Sequence, residues 1–466
     1  MGLTMRASRV CGPLSSVEKL VRSTRRLNAQ GPAARPRHFS AATRWLAVEP
    51  RSCGTLRGAQ HGQTPGSPGT PRFRSLSTSQ QPSAPPFAFA FDIDGVLLHV
   101  DKPIPGAAEA LAYLHAHHVP FILLTNGGGR HEEERVADLS RKLGVPLSVD
   151  NFVQSHTPFR DFVARDPSAD DGGGGGPGLA DKTILVTGSD AQASRGIAER
   201  YGFRSLVTPA DILVAEPGVW PFDPLLEPVY RATARPLPRP LWRPGVREEE
   251  ALKVDAVFVF NDPRDWALDT QLIVDLLLSR RGYLGTYSAA NGRDGRWQDD
   301  GQPDVFFSNP DLWWATGYRL PRFGQGAFQA AVAGVWSRVT GGEAELRARV
   351  FGKPHRATYA FAERVLERHR AQMLKRQGAR EDAPGGGGER ARLRSVYMVG
   401  DNPDSDIAGA NAFRGAGGAD WCSVLVRTGV WDPARGEPSH RPRIIVDDVK
   451  AAVRWAFERE GWGGRI

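Results

Sequence analysis

The sequence predicts an α/β protein with a Rossmann-like parallel-sheet core and a second α/β domain inserted into that core. Two apolar runs, Phe87–Val100 and Val119–Thr125, lack the polar alternation of half-exposed strands and so suit strands buried on both faces. A helical pattern over Ala107–His117 separates them, and this strand–helix–strand order indicates a right-handed parallel crossover. The segment from 145 to 350 is long enough to form a separate inserted domain.

The positive charge of the chain is concentrated at its start. The formal net charge is +8, but residues 1–80 hold thirteen basic and two acidic residues, and the remaining 47 basic and 50 acidic residues sum to −3. This leader is rich in Arg, Ser and Ala, with a basic amphipathic pattern at Leu14–Leu27, which is typical of a mitochondrial transit peptide. The alternative is a disordered basic tail that binds an acidic partner. The near-neutral body argues against nucleic-acid binding.

The chain has few cysteines and no long apolar run. Cys11 and Cys53 lie in the leader, so Cys422 has no partner in the body for an internal disulfide. This usage fits a reducing compartment, or a protein that is indifferent to its redox environment. No stretch of about 18 apolar residues occurs, and we therefore expect no transmembrane segment.

The first strand ends in two acidic residues. Asp92 and Asp94 are followed by Gly95, and the strand period of two points both carboxylates the same way. Parallel sheets place their binding crevice at the carboxyl ends of the strands. Two carboxylates this close require a neighbouring cation, and Mg²⁺ is the expected choice for oxygen ligands. The alternative is a plain turn that ends the strand, because Asp and Gly are both turn residues.

The second strand ends in polar and flexible residues. Thr125, Asn126 and the glycines Gly127–Gly129 precede a helical pattern over His131–Leu143. A hydroxyl, an amide and free backbone N–H groups between a strand and a helix can cradle an oxyanion or a phosphate. The alternative is an ordinary glycine turn, since the spacing matches neither the Walker nor the dinucleotide motif.

The inserted segment shows its own strand and helix patterns. Lys182–Gly188 and Val254–Phe260 read as strands, and Thr270–Leu278 reads as a helix. We also expect surface loops without a fixed fold in three Gly- and Pro-rich stretches: Asp170–Gly178, Pro236–Pro244 and Glu381–Gly388.

Two charged signals come late in the chain. Lys353 lies in the turn Phe351–Pro354, just before a helical pattern. The strand Ser395–Gly400 ends at Asp401, and Asp406 follows five residues later. Taken singly, a lysine or an acidic loop is usually solvated surface. The acidic strand end, however, repeats the pattern at the first strand.

In this order the signals resemble the haloacid dehalogenase superfamily, through the motifs Asp92/Asp94, Thr125/Asn126, Lys353 and Asp401/Asp406. The long insertion is similar to the α/β C2-type caps of subclass IIA. Longer local motifs, such as SNPDLWWATGY and GDNPDSDIAGAN, resemble those of a mitochondrial group in that branch. This resemblance implies four parts: a leader (1–80), a first core part (81–128), a cap (129–350) and a second core part (351–466).

The resemblance also implies a reaction. Asp92 is expected to attack phosphorus and form an aspartyl-phosphate, while Asp94 protonates the leaving group and then activates water. Lys353 is expected to stabilise the charged nucleophile and the phosphate. Asp92, Asp94 through its carbonyl, and Asp401 are the expected Mg²⁺ ligands.

Further roles follow from the same resemblance. Thr125, Asn126 and Gly127 are expected to bind the substrate phosphate, and Asp406 is expected to support Lys353 or a metal-bound water. The expected activity is Mg²⁺-dependent hydrolysis of a small phosphorylated metabolite in the mitochondrial matrix, with a link to glycerophospholipid metabolism. The alternatives are a catalytically weak binding or regulatory protein and phosphotransfer to an acceptor other than water.

In such enzymes the cap selects the substrate. Candidate selecting segments are Asn261–Trp266, Tyr287–Arg293 and Asn309–Trp314, although Asn291 and Asn309 equally suit turns. The pair Trp313 and Trp314 within the last segment is expected to pack in the core or in an interface rather than against a ligand. A homodimer formed through the cap is a further expectation.

Overall fold

The computed structural model describes residues 84–163, 178–189, 191–314, 316, 318–377, 392–463 and 466. The predicted leader, nearly all of Asp170–Gly178, and Glu381–Gly388 lie outside the described residues. Within the described residues no helix is long and apolar enough to cross a membrane.

The strands of the described part are, in chain order, β1 Phe87–Phe91, β2 Leu98–His99, β3 Lys102–Pro103, β4 Phe121–Leu124, β5 Phe152–Val153, β6 Thr183–Ser189, β7 Ser205–Val207, β8 Ala256–Pro263, β9 Asp304–Phe307, β10 Trp313–Trp314, β11 Arg322–Phe323, β12 Arg349–Val350, β13 Ser395–Gly400, β14 Asp420–Val426 and β15 Ile444–Val446. The α-helices are α1 Ala107–Ala116, α2 Glu132–Leu143, α3 Ala191–Tyr201, α4 Pro209–Ala215, α5 Glu227–Thr233, α6 Trp266–Leu278, α7 Gln325–Val339, α8 Arg356–Arg376, α9 Ala408–Ala412 and α10 Val449–Glu460.

The core is a six-stranded parallel sheet in the order β15-β14-β13-β1-β4-β5, with helices on both faces. The central strand β1 is buried along its whole length and alternates large and small side chains. Phe87, Phe89 and Phe91 pack with α1 and α10 on one face. Ala88 and Ala90 lie on the other face and leave room for the bulky side chains of α8. The predicted parallel core is therefore confirmed.

The cap is a second parallel sheet, in the order β12-β9-β8-β6-β7. Val257 and Val259 of β8 face a cluster formed with α4, α6 and α7. Phe258 and Phe260 face the opposite cluster. That cluster also contains Phe159, which precedes the cap in the chain, so aromatic packing joins the cap to the core.

The structure corrects the first cap boundary. We expected the cap to begin at residue 129, but β5 pairs with β4 in the core sheet. The apolar face of α2, formed by Val136, Leu139 and Leu143, packs into the core cluster. The first strand of the cap sheet is β6, which begins at Thr183. A strand of only two residues leaves too short a pattern to be read from the sequence.

The loop Pro236–Pro244 is also different from the expectation. It has no regular secondary structure, as its prolines predict. The expectation that it lacks a fixed position is wrong, however. Leu237 and Leu241 pack against the cap core, and the Leu252 N–H donates to the Pro240 carbonyl at 2.7 Å. The leucines between the prolines hold the segment in place because they bury apolar surface.

Candidate active site

Three neighbouring strands bring the predicted site residues together. β1 lies between β4 and β13 in the core sheet, so the residues after their carboxyl ends share one edge. Asp92 follows β1, Thr125 and Asn126 follow β4, and Asp401 follows β13. All four are buried. The predicted convergence at a strand-end crevice is what the topology produces.

Lys353 lies at the centre of this cluster. Its Nζ atom is 2.6 Å from Oδ1 of Asp92 and 2.7 Å from Oδ1 of Asp406, and it donates to the Leu124 carbonyl at 2.9 Å. The side chain is buried. Burial alone would lower the pKa of Lys353, but the Asp406 and Asp92 carboxylates outweigh it and raise that pKa above the usual range. The lysine therefore stays charged inside the protein.

Asp406 organises the loop that carries Asp401. Its Oδ2 atom accepts the backbone N–H groups of Asp401 at 3.2 Å and Asn402 at 3.1 Å. Asp401 itself accepts the Val430 N–H on Oδ2 at 2.7 Å. Asp406 thus fixes both the position of Asp401 and the Nζ atom of Lys353. Asp404, in the same loop, is exposed.

Asp92, Asp401 and Asp406 form a carboxylate cluster suited to a metal ion. One oxygen from each lies within 4.8 Å of the others. Three buried carboxylates share one nearby ammonium, that of Lys353, and hard divalent cations prefer oxygen ligands of this kind. Burial raises the pKa of Asp92 well above its usual value, although Lys353 opposes the shift. Burial and Asp406 likewise raise the pKa of Asp401 to about 7. The donor set therefore fits a divalent cation, which would relieve this repulsion.

Asp94 stands at the mouth of the crevice. Its side chain is solvent accessible, yet surrounding protein atoms desolvate it enough to raise its pKa, against the influence of Arg135. A Cβ added to Gly127 would lie 3.9 Å from Oδ2 of Asp94 and 3.3 Å from Oγ1 of Thr125. The Asp94 carboxylate therefore faces the glycine loop across a narrow gap.

The Asn126 side chain connects three parts of the chain. Its Oδ1 atom accepts the Lys353 N–H at 2.7 Å, and its Nδ2 atom donates to the Lys353 carbonyl at 2.9 Å and to Oδ1 of Asp311 at 3.0 Å. Both amide hydrogens are therefore engaged within the protein. The neighbouring Gly127 N–H donates to Oγ1 of Thr125 at 3.0 Å. Of the groups expected to bind phosphate, the Asn126 backbone N–H has no partner among the described residues.

Asp311 is a site residue that the sequence did not single out, although it lies in the candidate segment Asn309–Trp314. Its backbone is held by the Gly326 N–H, which donates to the Asp311 carbonyl at 2.9 Å. Burial raises the pKa of Asp311 to about 6, while the hydrogen bond from Asn126 lowers it. Its place directly after Asn309 and Pro310, in the loop that follows β9 of the cap sheet, was the available signal.

The other cap segments reach the site unequally. Asn261 lies over the glycine loop, since a Cβ added to Gly129 would lie 2.3 Å from its Nδ2 atom. Asn291, in the segment Tyr287–Arg293, donates instead to the Leu278 carbonyl within the cap. Trp313 and Trp314 are 51% and 52% exposed. Of the two expected places for this pair, the core of this chain is therefore wrong, and an interface stays a prediction.

The fold and the site define a capped α/β protein of two parallel sheets, whose candidate site residues lie at the strand ends of its core sheet. Residues 89–204 match the family model described as haloacid dehalogenase-like hydrolase, and residues 350–452 match a model described as HAD-hydrolase-like. The two matched regions contain all the core residues named above as catalytic, phosphate-binding or metal-ligating candidates.

Two relatives extend over most of the chain. A mitochondrial hydrolase of Saccharomyces cerevisiae is 36% identical over 385 residues, which cover 81% of this chain and 97% of the yeast protein. The cardiolipin synthase (CMP-forming)/mitochondrial hydrolase fusion protein of Schizosaccharomyces pombe is 35% identical over 400 residues, which cover 84% of this chain but 57% of the fusion protein. The chain belongs to the haloacid dehalogenase-like hydrolases and is an enzyme of that family.

Similar solved structures include two phosphatases. The p-nitrophenyl phosphatase from Archaeoglobus fulgidus is 17% identical with a TM-score of 0.47, and the match covers 80% of this chain and all of that one (100%). The glycerol phosphate phosphatase from Mycobacterium tuberculosis in complex with magnesium is 20% identical with a TM-score of 0.43, and the match covers 79% of this chain and 77% of that one. Neither similarity bears on the substrate of this chain.

Proposed function

We propose that the protein is a Mg²⁺-dependent phosphomonoester hydrolase that works through an aspartyl-phosphate at Asp92. The observation that carries this proposal is the buried contact between Lys353 and Asp92, with Asp94 two residues further on at the open mouth of the crevice. A buried carboxylate held by an ammonium and facing an open crevice is arranged for attack on an electrophile. A second carboxylate at the mouth is arranged for proton transfer.

The first step transfers the phosphoryl group to the protein. An oxygen of Asp92 forms a bond to phosphorus as the bond from phosphorus to the substrate oxygen breaks. Asp94 gives its proton to that leaving oxygen, which departs as an alcohol. The raised pKa of Asp94 favours the protonated form that this role needs.

The second step regenerates the enzyme. Asp94, now a carboxylate, takes a proton from water as the water oxygen attacks phosphorus, and the bond between Asp92 and phosphorus breaks. The products are inorganic phosphate and free Asp92. Lys353 holds the Asp92 carboxylate in place through both steps and balances part of its charge.

Asp92, Asp401 and the Asp94 carbonyl would hold Mg²⁺, and Asp406 would support this set through Lys353 and the Asp401 backbone. When bound, the ion supplies positive charge that neutralises the phosphoryl oxygens. The Thr125 hydroxyl and the Asn126 backbone N–H would bind the phosphate, since the amide hydrogens of Asn126 are already engaged. The Gly127 N–H would join them only by exchanging its hydrogen bond to Oγ1 of Thr125 for one to the phosphate.

The substrate class and the location are further parts of the proposal. We propose a small phosphorylated metabolite linked to glycerophospholipid metabolism, which is supported by the fusion of a relative to cardiolipin synthase. We propose a mitochondrial location, in the matrix, which is supported by the names of both relatives and by the basic leader. N-terminal sequencing of the protein recovered from mitochondria should begin well after Met1, whereas an intact Met1 in a cytosolic pool would contradict import.

The activity can be tested with a panel of phosphomonoesters that includes glycerol phosphates, sugar phosphates and p-nitrophenyl phosphate. The full chain is assayed for phosphate release with Mg²⁺ and, in parallel, with EDTA. The proposal expects release that requires the metal, with the best panel member defining the substrate class. Equal release under both conditions would contradict the metal-dependent site, and release from no member would favour a binding role.

A further inference from the structure

The cap carries an exposed aromatic hairpin close to the crevice. β10 and β11 form an antiparallel pair in which Trp313 lies opposite Phe323 and Trp314 lies opposite Arg322. The apolar side chains of this hairpin are between 45% and 58% exposed, and they are Leu312, Trp313, Trp314, Tyr318, Leu320 and Phe323. So much apolar surface in one short segment is unusual for a chain that is fully surrounded by water.

Both faces of the hairpin are aromatic. Trp313 stacks on Phe323 with ring centroids 4.7 Å apart. Trp314 follows Trp313 directly, so it points to the opposite face, and its Nε1 atom donates to the Phe323 carbonyl at 3.2 Å. A flat protein surface would cover only one face of such a hairpin. Immersion in the interfacial region of a bilayer covers both faces, and Trp and Tyr are the residues enriched there.

The charge of the hairpin also favours binding to a bilayer surface. Residues 312–323 contain two arginines, Arg319 and Arg322, and no acidic residue. The Arg322 guanidinium lies 4.5 Å from the centre of the Tyr318 ring, so the cation packs against an exposed aromatic ring of the same hairpin. Arginines attract the headgroups of anionic lipids. A second copy of the chain would present the same hairpin, which has no acidic residue to pair with these arginines.

We propose that this hairpin binds the surface of a bilayer that contains anionic phospholipid. Its base is fixed, since the Gly324 N–H donates to the Leu312 carbonyl at 2.9 Å. The preceding residue, Asp311, contacts Asn126 in the candidate active site. Binding therefore holds the mouth of the crevice next to the lipid headgroups, and membrane-associated phosphate esters come within its reach.

The test uses the full chain with Trp45→Phe, so that the leader has no tryptophan. Fluorescence is recorded with vesicles of brominated phosphatidylcholine and phosphatidylglycerol, and with brominated phosphatidylcholine alone. Further variants on this background are Trp313→Phe/Trp314→Phe for the fluorescence signal and Trp313→Ser/Trp314→Ser for co-sedimentation. The matched control is Val335→Ser/Val339→Ser, an exposed apolar pair on α7. Circular dichroism checks the folding of every variant.

We expect the anionic vesicles to quench tryptophan emission and the Phe pair to abolish that quenching. The Ser pair should weaken co-sedimentation by about tenfold, because apolar burial carries much of the interfacial binding, while the control pair should not. Vesicle binding is measured without turnover, so this outcome is independent of the phosphatase activity. Unquenched emission in the parent, or equal co-sedimentation of the Ser pair and the control, would overturn the proposal. A dimer that the Ser pair dissolves, without any effect on vesicles, would overturn it in favour of a second copy.

Discussion

The Nζ atom of Lys353 lies 2.6 Å from Oδ1 of Asp92, although 261 positions of the chain separate the two residues. The insertion of the cap between them is what makes this separation so large. The contact connects the turn before α8 to the end of β1, so it joins the two parts of the core at the crevice. Asp406, on the other side of Lys353, completes a buried group of one cation and two anions.

Replacing this lysine should destabilise the protein. In EDTA, Lys353→Met should lower the free energy of unfolding by about 3 kcal/mol, because it leaves Asp92 and Asp406 buried without their cation. Urea denaturation of parent and variant measures the difference. Lys450→Met is the matched control, since Lys450 makes an ion pair with the exposed Glu109 and such pairs contribute little. Equal losses for the two variants would contradict the buried-pair account.

Asp311 should act as a positioning residue. Asp311→Ala removes the acceptor of the Asn126 amide, which also holds the Lys353 backbone, so kcat should fall by about tenfold or more. Asp311→Asn retains an oxygen acceptor and should recover most of that loss. The measurement is kcat and KM for p-nitrophenyl phosphate, with thermal unfolding as a check on stability. Equal rates for the Ala and Asn variants would argue against this role.

Gly429 should be essential for the metal site. A Cβ at this position would lie 1.9 Å from Oδ2 of Asp401, so Gly429→Ala must displace that carboxylate. The Mg²⁺ concentration that gives half-maximal activity should rise about tenfold or more, because ligand position controls metal affinity. Gly334→Ala in α7 is the control, since its added Cβ meets no atom within 4 Å. An unchanged Mg²⁺ requirement in Gly429→Ala would exclude Asp401 as a ligand.

Asp269 should make the stability of the cap depend on pH. Burial raises the pKa of Asp269 to about 7 from its usual 3.8, although a hydrogen bond from Thr187 opposes the shift. Between these pH values the folded state binds the proton and the unfolded state does not, so stability falls as pH rises through this window. Asp269→Asn should therefore gain stability relative to the parent from pH 4 to pH 7, by at most about 1.4 kcal/mol per pH unit.

Urea denaturation across that pH range provides the measurement for Asp269. Asp304→Asn, at an exposed position, is the matched control and should follow the pH profile of the parent. A difference between Asp269→Asn and the parent that does not change with pH would show that Asp269 is ionised in the folded protein.

Much of the core and its site could be predicted from the sequence. Buried parallel strands place their carboxyl ends together, so the acids after β1 and β13 were expected to converge once the strands were recognised. Lys353 was expected there only through the resemblance to a family, since a single lysine before a helix has no local pattern of its own. The pattern of α2 was visible, but its assignment to the core depended on packing.

Other features depended on contacts that no local pattern contains. The hydrogen bond from Asn126 to Asp311 joins residues 185 positions apart, because the loop after β9 of the cap sheet reaches the core site. The exposure of Trp313 and Trp314 contradicts the usual tendency of large aromatic residues to be buried, because their hairpin projects from the cap. The hydrophobicity of such residues predicts an apolar contact for them, but it does not indicate whether that contact lies within the chain or with another surface.

The most direct test of the central claim is phosphate release by the parent and by Asp92→Asn, both with saturating Mg²⁺ on the best substrate of the panel. The amide preserves the shape of the side chain but is a poor nucleophile, so the rate should fall by at least about a thousandfold while circular dichroism shows an intact fold. A variant that is folded and releases phosphate at the parent's rate would contradict an aspartyl-phosphate at Asp92.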